Sequence, residues 1–410
     1  MYSDQSKAYY NDSTPTPGLM TQEVREEKST HQQSLIFGLP LETRFQETRI
    51  LLTPHDAGVL VHRGHRVLVQ RNAGVGARFT DTAYASFGAE IVETASEIFK
   101  ADIILKVMPP DENEIELMKP RQVLFSTLNF VGYDRRYFQM LMKKRITSFC
   151  IEDIREEDGS YPVIRAMGEI AGNASIYLAS HYLSDPQLGK AKMLGGFSGI
   201  RPVEILILGA GTVAEYAIRS ALGMGAVVKV FDASVSKIRR LQSLLHDRIS
   251  TALLTPDALA TALPSADVVI GAVYSSHHVS PCILTEKMVA SMSPGSVLID
   301  ISIDHGGCAE SSRITSLDNP VYQHFGVTHY CVPNLLSRFS NTASIALSNY
   351  FLHFFTSTEE PWNVELALQR NLGLRNAAYI YHGILTKNSI SRKTGIPYKD
   401  INLLISSMHQ

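Results

Sequence analysis

The residues with the clearest chemical meaning form a glycine-rich turn that follows a short apolar run. Residues 204–232 read EILILGAGTVAEYAIRSALGMGAVVKVFD, in which Ile205–Leu208 predicts a buried strand followed by an amphipathic helix. Gly209 permits a tight turn out of the strand, Gly211 lets a pyrophosphate approach the helix N-terminus, and Ala214 lets the helix lie on the sheet. This pattern predicts a dinucleotide-binding site.

An acidic residue completes the dinucleotide pattern. Asp232 ends the next predicted strand and stands 21 positions after Gly211. A carboxylate at this place accepts hydrogen bonds from the adenosine ribose hydroxyls and repels a 2′-phosphate. The sequence therefore favours NAD over NADP as the cofactor.

Two charged residues accompany other apolar runs. Lys106 interrupts the run Ile103–Val107, and because an unpaired ammonium is costly to bury, it must reach past the strand end or find a partner. Asp304 follows the run Val297–Ile301, at the carboxyl edge where parallel sheets bind ligands. Both residues are candidates for a substrate site.

The order of the apolar runs indicates how these residues are positioned. Short apolar runs alternate with helical patterns over residues 35–165, and a second such series begins after the long predicted helix Ala166–Leu183. This rhythm predicts parallel α/β sheets. After about residue 340 the pattern turns helical. Residues 1–34 are too polar to form a core, and we expect them to be a disordered tail.

Bulk properties exclude several classes of protein. The 410 residues suit two domains, and the net charge of −2 gives no electrostatic reason to expect nucleic acid or a membrane surface as partner. No apolar run approaches the roughly 20 residues of a membrane span. The four cysteines form no C-x-x-C pair, so we expect reduced thiols, no metal site and a cytoplasmic location.

Several blocks of the chain, in this order, resemble the alanine dehydrogenase family, which is similar to the α-subunit of nicotinamide nucleotide transhydrogenase. They are GLPLETRFQETRILLTPHDAGVLVHRGHRVLV, ADIILKV, GSYPVIRAMGEIAG, GAGTVAEYAIRSALGMGA and GSVLIDISIDHGGCAESS. The resemblance implies an α/β fold with two Rossmann-like, doubly wound domains and a cleft between their parallel sheets. Residues 35–165 plus 340–410 would form the substrate domain, and residues 166–339 the NAD-binding domain. It also implies a homo-oligomer, usually a hexamer.

The resemblance assigns roles to individual residues. Arg49 matches the arginine that binds the substrate carboxylate, for which its planar fork is well suited. Lys106 matches a lysine that contacts the substrate carboxylate or keto oxygen, and Asp304 matches the active-site aspartate. Further positions match residues near the cofactor, namely Lys237, Val273, Ile303 and Asn334.

The sequence departs from the family pattern at several of these places. The block LFSTLNF puts Asn129 where the family has its general acid/base histidine. An amide can hydrogen-bond a substrate but does not titrate near neutral pH, so it cannot carry a proton. Leu41 stands in place of a lysine, Gly168 in place of a serine, and GAVYSSHHVSP in place of a loop that contains Pro-Gly-Ala-Lys.

Three functions are compatible with this pattern. The first is an NAD-dependent alanine dehydrogenase, an oxidoreductase acting on a CH–NH2 donor, in which Asp304 or a water held by Asn129 and Lys106 handles the protons. The second is a related NAD(P)-dependent oxidoreductase on another small amino or keto acid, of the carboxyethyl-ornithine synthase type. The third is an NAD-binding protein with impaired catalysis.

Overall fold

The structure is a computed structural model that describes residues 34–128, 133–245, 249–274, 280–357 and 362–406. The expected N-terminal tail, apart from Ser34, lies outside these residues. The described residues from Ser34 onward belong to one compact unit.

The first part of the chain alternates short strands with helices, as the apolar runs predict. In chain order the elements are β1 (Ile36–Leu39), α1 (Pro54–His62), β2 (Arg66–Gln70), α2 (Asp81–Ser86), β3 (Glu90–Val92), α3 (Ala95–Ile98), β4 (Ile103–Leu105), α4 (Glu112–Leu117), β5 (Val123–Ser126), α5 (Arg135–Lys143) and β6 (Thr147–Cys150). A long helix, α6 (Pro162–Ser184), then leads into the second series.

The second series also alternates strands with helices and ends in a mostly helical segment. Its elements are β7 (Glu204–Leu208), α7 (Thr212–Gly223), β8 (Val227–Asp232), α8 (Val235–Leu245), β9 (Ser250–Leu253), α9 (Pro256–Ala262), β10 (Val268–Gly271), α10 (Glu286–Ala290), β11 (Val297–Asp300), β12 (Val321–His324) and β13 (Val327–Tyr330). The final segment has α11 (Ser340–Thr356), α12 (Val364–Arg370), α13 (Leu372–Ala377), β14 (Ala378–Tyr381), β15 (Ile384–Leu385), α14 (Asn388–Thr394) and α15 (Ile401–Ser406).

The first sheet has the strand order β15-β14-β6-β5-β4-β1-β2-β3. Strands β1 to β6 pair in parallel, whereas β14 pairs antiparallel with β6 and with β15. The parallel part is doubly wound, because the chain moves outward from β1 to β3, returns to β4 and then moves the other way. Such a sheet binds ligands beyond the carboxyl ends of the strands where the winding reverses, here β1 and β4.

The second sheet repeats this arrangement, with the order β12-β13-β11-β10-β7-β8-β9. All its pairs are parallel except that of β12 with β13. Its winding reverses between β7 and β10, so the turn after β7 is the expected ligand site. The predicted fold class, with two mostly parallel doubly wound sheets, is confirmed.

The central strands of both sheets are buried along their whole length. Every residue of β5, β6, β7, β10 and β11 is buried. A parallel sheet covered by helices on both faces requires such apolar strands. The polar residues that follow these strands are therefore held at the edges of a rigid frame.

Small residues let α6 lie against α7. A Cβ atom at Gly172 would stand only 2.4 Å from the backbone oxygen of Val213, so only glycine fits this crossing without a shift. The small residues of α6 therefore permit its close packing against α7.

The helical prediction for the C-terminal segment is only partly right. The sequence pattern predicts helices over Ser344–Phe355 and Val364–Arg370. Helix α12 has the second pair of bounds and α11 contains the first predicted helix, but β14 and β15 form an unexpected hairpin that extends the first sheet. This pairing depends on β6, more than 200 positions earlier, and local patterns do not report it. None of the helices that the structure describes has the length and apolarity of a membrane span.

Candidate active site

The turn after β7 has the backbone shape of a phosphate cradle. Gly209 has a φ of 109°, and a Cβ there would lie 2.3 Å from the backbone oxygen of Ala272. A Cβ on Gly211 would meet nothing within 4 Å, so open space lies before the N-terminus of α7. Ala214 is fully buried under this helix. The free N–H groups and open space fit a dinucleotide pyrophosphate.

Asp232 holds the cradle in shape from the end of β8. Its Oδ2 accepts a hydrogen bond from the Ala210 N–H at 2.8 Å, and its Oδ1 accepts one from the Ser234 N–H at 2.7 Å. An ionised carboxylate has further acceptor positions on both oxygens, and these fit the ribose hydroxyls of an adenosine. The predicted acid therefore lies directly beside the predicted glycine turn.

Residues on α7 and α8 brace the other side of the turn. Arg240 donates from Nη2 to the Ala210 oxygen at 3.2 Å and from Nη1 to Glu215 at 2.9 Å. Glu215 also pairs with Arg219. This brace was not predicted from the sequence, although the i, i+4 spacing of Glu215 and Arg219 is typical of a helical ion pair. Lys237, a predicted cofactor contact, lies exposed in the first turn of α8.

Two other predicted cofactor positions follow neighbouring strands of the same sheet. The N–H of Val273, after β10, donates to Ser302 Oγ at 3.0 Å, in the turn that follows β11. Ile303 lies in that turn and is buried. The carboxyl ends of β7, β10 and β11 thus form one edge, and the cradle lies at the β7 end of it.

Arg49 lies where the first part of the chain meets the second. Its guanidinium binds Glu47 twice, with Nε at 2.8 Å from Oε1 and Nη2 at 2.6 Å from Oε2. The remaining nitrogen, Nη1, lies 3.6 Å from Met167 Sδ. Glu47 was not predicted as a site residue; its position two residues before Arg49 is the sequence signal for it.

Asn334 connects Arg49 to Asp304. Its Oδ1 accepts from Arg49 Nη2 at 2.8 Å, its Nδ2 donates to Glu47 Oε2 at 2.9 Å, and its backbone N–H donates to Asp304 Oδ1 at 2.8 Å. Asn334 adopts a left-handed backbone, with φ 55°, a conformation that asparagine tolerates better than most residues. The structure thus brings three predicted site residues together.

The two acids in this group, Glu47 and Asp304, have pKa values that are shifted in opposite directions. Burial acts to raise the pKa of Glu47, but the Arg49 guanidinium outweighs it and holds that pKa below the usual value. Asp304 keeps contact with solvent, but desolvation by the surrounding protein raises its pKa to about 6, against the opposing effects of the Asn334 N–H and Arg49. Asp304 can therefore exchange a proton near neutral pH, whereas Glu47 stays ionised.

A further acid, Glu152, was not predicted. It lies in the short turn Ile151–Asp153 that follows β6, and burial together with the neighbouring Asp153 raises its pKa to about 7. The charges of Arg49 and Asp304 also act on it. We call Glu47, Arg49, Glu152, Asp304 and Asn334 the inter-sheet site.

Lys106 is buried and has found partners, as its place in an apolar run requires, but these partners were not predicted. Its side chain is 1% exposed, and its ammonium lies 3.0 Å from Glu42 and 3.1 Å from Glu114. Glu42 also accepts the N–H of Val107 at 2.6 Å, which ties the loop after β1 to the end of β4. The Lys106 ammonium is thus already paired with two carboxylates, and its contact with a substrate stays a prediction. Asn129 lies outside the described residues.

Comparisons with known proteins cover nearly the whole described chain. Residues 38–171 match the family model "Alanine dehydrogenase/PNT, N-terminal domain", and residues 175–388 match the model of its C-terminal domain. The chain is 34% identical over 366 residues to an alanine dehydrogenase of Methanococcus maripaludis, covering 89% of this chain and 98% of that one.

Two further proteins give the same result. An alanine dehydrogenase of Bacillus subtilis is 33% identical over 365 residues, which cover 89% of this chain and 96% of that one. A solved structure of an L-alanine dehydrogenase is similar with a TM-score of 0.80 and 31% identity, covering 87% of this chain and 98% of that one.

Proposed function

Because this chain belongs to the alanine dehydrogenase/PNT family, we propose that it is an oxidoreductase that converts L-alanine reversibly to pyruvate and ammonia with NAD. One observation carries the proposal beyond family membership. Arg49, Asn334 and Asp304 meet at the same strand edge that carries the glycine cradle. A carboxylate-binding cation, a titratable acid and a dinucleotide site are the parts that this reaction needs.

Arg49 is proposed to bind the substrate carboxylate. Glu47 occupies the Nε edge of the guanidinium, and Asn334 binds Nη2. Nη1 has only the Met167 sulfur as a contact among the described residues, which leaves its N–H groups to a ligand. The pair with Glu47 fixes the direction of the guanidinium, and such preorganisation lowers the cost of binding.

The cofactor is proposed to be NAD, held by the cradle and by Asp232. When bound, its nicotinamide accepts the hydride from the substrate Cα. Gly209, Gly211 and Ala214 shape the pyrophosphate site, Asp232 supplies acceptors for the ribose, and Val273 and Ile303 line the same edge. The exposed Lys237 stays a proposed cofactor contact, and among the described residues its ammonium has no hydrogen bond or ion pair that orients it toward the cradle.

Asp304 is proposed to take the proton that the substrate ammonium loses before the hydride leaves. Its carboxyl is solvent-accessible and adjoins Arg49 through Asn334, and desolvation raises its pKa to about 6. An acid with such a pKa is an efficient proton acceptor at neutral pH. Asn129 and Lys106 remain proposed substrate contacts, on the resemblance alone.

The organisation of the chain is part of the proposal. Residues 35–165 with 340–410 would form the substrate domain and residues 166–339 the NAD domain, in keeping with the two sheets. A cytoplasmic location is supported by the four free cysteines. A homo-oligomer, a hexamer as in the family, is supported by apolar side chains that are exposed near α6 and α7. These side chains are Tyr177, Met193, Phe197, Ile200 and Met224.

A second candidate is an oxidoreductase that joins a keto acid to a larger amine. The pairing of Lys106 with Glu42 and Glu114 favours it, because it leaves the inter-sheet site with one cation and three acids. Such a site suits a second positively charged amine. A related NAD-binding protein without turnover is the third candidate.

One assay separates these candidates. NADH oxidation is followed with pyruvate and ammonium, and then with a panel of keto acids combined with amino acids as amine donors. Turnover with pyruvate and ammonium supports the alanine dehydrogenase, and turnover only with an amino acid as the amine supports the second candidate. NADH binding by calorimetry without turnover in any combination contradicts both enzymes.

A further inference from the structure

Glu152 lies at the same strand edge as the block where the family histidine is expected. Strands β5 and β6 are parallel neighbours, and Ser126 pairs with Cys150 at their carboxyl ends. Glu152 follows Cys150 by two residues, so it lies beside the chain that leaves β5 toward Leu128. Glu152 is therefore an acid at the strand edge where the chain leaves β5, next to the site residues Arg49 and Asp304 whose charges act on it.

The surroundings of Glu152 leave its carboxyl available. The charged and titratable groups that face it are Asp153, Arg49, Asp304, Cys150 and Tyr274. Within the part of the chain that the structure describes, its contact is the Cys150 sulfur at 4.0 Å, and no N–H group binds it. Glu47, by contrast, accepts from Arg49, Asn334 and Ser337. The inter-sheet site thus holds one fixed acid and one available acid on the side of the first sheet.

The unexpected C-terminal hairpin holds the turn that carries Glu152. Tyr379 donates to Asp153 Oδ2 at 2.8 Å, Lys387 pairs with the same carboxylate at 3.2 Å, and Asn376 Nδ2 donates to the Asp153 backbone oxygen at 2.9 Å. Asp153 is thereby a positioning residue. The charges of Asp153, Arg49 and Asp304 all act on its neighbour Glu152.

We propose that Glu152 is the catalytic residue that carries the proton of the hydrolytic water. This inference rests on the proposed function. Once the substrate Cα has given its hydride to the nicotinamide, an iminium remains. The water oxygen bonds to the iminium carbon while its proton passes to the Glu152 carboxylate. Glu152 then returns this proton to the nitrogen, the C–N bond breaks, ammonia leaves, and the hydroxyl proton passes back to Glu152 as the keto group forms.

The kinetic test compares Glu152→Gln with wild type. The amide keeps the shape of the side chain but carries no proton, so steady-state turnover of L-alanine is expected to fall about 100-fold or more. The hydride step precedes the step that Glu152 serves. A rapid burst of NADH absorbance, of at most one NADH per active site, should therefore remain, and the Kd of NADH should be unchanged. Glu152→Asp should keep part of the turnover.

Glu157→Gln is the matched control, because Glu157 is an exposed glutamate in the same segment. Its turnover is expected to equal that of wild type. Turnover of Glu152→Gln within about threefold of wild type overturns the inference and leaves the proposed function intact. If Glu152→Gln loses both the burst and steady-state turnover, the inference is also overturned, since Glu152 would then act before hydride transfer. If wild type itself fails with every substrate, both proposals fall.

A measurement without turnover tests the state of the carboxyl. A pKa of about 7 in the folded chain, against 4.5 normally, means that ionisation is disfavoured by folding. The contribution of Glu152 to stability is then lost as pH rises from about 4.5 to about 7. Glu152→Gln should gain stability over wild type between these pH values in urea unfolding. If the difference in the free energy of unfolding between Glu152→Gln and wild type is the same at both of these pH values, the Glu152 carboxyl is not desolvated in the folded protein.

Discussion

Arg49 and Glu47 form a doubly hydrogen-bonded ion pair, with N–O distances of 2.8 and 2.6 Å, in which the glutamate side chain is fully buried. The pair aims the guanidinium into the inter-sheet site. Because a buried ion that loses its partner is costly, Glu47→Gln should lower the free energy of unfolding by about 3 kcal/mol. Urea unfolding followed by circular dichroism measures this change.

Glu90→Gln is the control for this prediction. Glu90 also pairs with an arginine, Arg66, but both side chains are about half exposed. Solvent screens a surface pair of this kind, so Glu90→Gln should change the free energy of unfolding much less than Glu47→Gln does. Equal losses in the two variants would mean that the pair of Arg49 with Glu47 is no stronger than an exposed one.

The second prediction concerns the shape of the Arg49 side chain. Lysine keeps the charge but lacks the planar fork that binds Glu47 and a carboxylate at once. Arg49→Lys should therefore raise the KM for pyruvate about 10- to 100-fold, the loss expected for a charged hydrogen bond. The Kd of NADH, measured by fluorescence, should stay the same. A parallel rise in both constants would place Arg49 in the cofactor site instead.

Some of these relationships follow from the sequence and others do not. The glycine turn, Asp232 and Asp304 could be located because each follows an apolar run that forms a strand, and parallel strands bring their carboxyl ends to one edge. The surroundings of Lys106 could not be predicted from the sequence, because Glu42 lies 64 positions away and reaches Lys106 only when β1 and β4 pair. Glu152 was hidden for the same reason, within a run of acids that resembles an exposed loop.

The third prediction tests the role of Asp232. Its carboxylate fixes the cradle through the N–H groups of Ala210 and Ser234 and is proposed to bind the ribose. Asp232→Ala should weaken NADH binding about tenfold or more in calorimetry, and it should weaken NADPH binding less, because the repulsion of a 2′-phosphate is removed. Asp257→Asn, at an exposed aspartate in α9, is the control. Unchanged NADH affinity would move the cofactor away from this turn.

The fourth prediction uses two glycines of α6, one turn apart. A Cβ at Gly172 would meet the Val213 backbone oxygen at 2.4 Å, whereas one at Gly168 would meet only ordinary contacts, from 3.4 Å. Gly172→Ala should destabilise the protein by about 2 kcal/mol or more, since neither helix can yield easily. Gly168→Ala should be neutral, or stabilising by up to about 1 kcal/mol through helix propensity. Thermal unfolding distinguishes the two, and similar behaviour would contradict the close crossing of α6 and α7.

The last prediction is the pH dependence of alanine oxidation. In the proposed mechanism both Asp304 and Glu152 must be ionised before they accept protons, and burial raises their pKa values to about 6 and about 7. Activity should therefore fall as pH decreases through these values. Because the charges of the two carboxyls affect each other, the apparent pKa values in the activity profile belong to the pair and not to either residue alone.

A plot of log kcat/KM against pH should have a slope of about 2 below both values in the wild type. Asp304→Asn should reduce that slope to about 1 in its residual activity, since one titrating acid is left. Exposed Asp257→Asn should leave the slope unchanged. A slope of about 2 that persists in Asp304→Asn would assign the second proton to another group. The acid pair of the inter-sheet site would then not be the proton-transfer machinery of this enzyme.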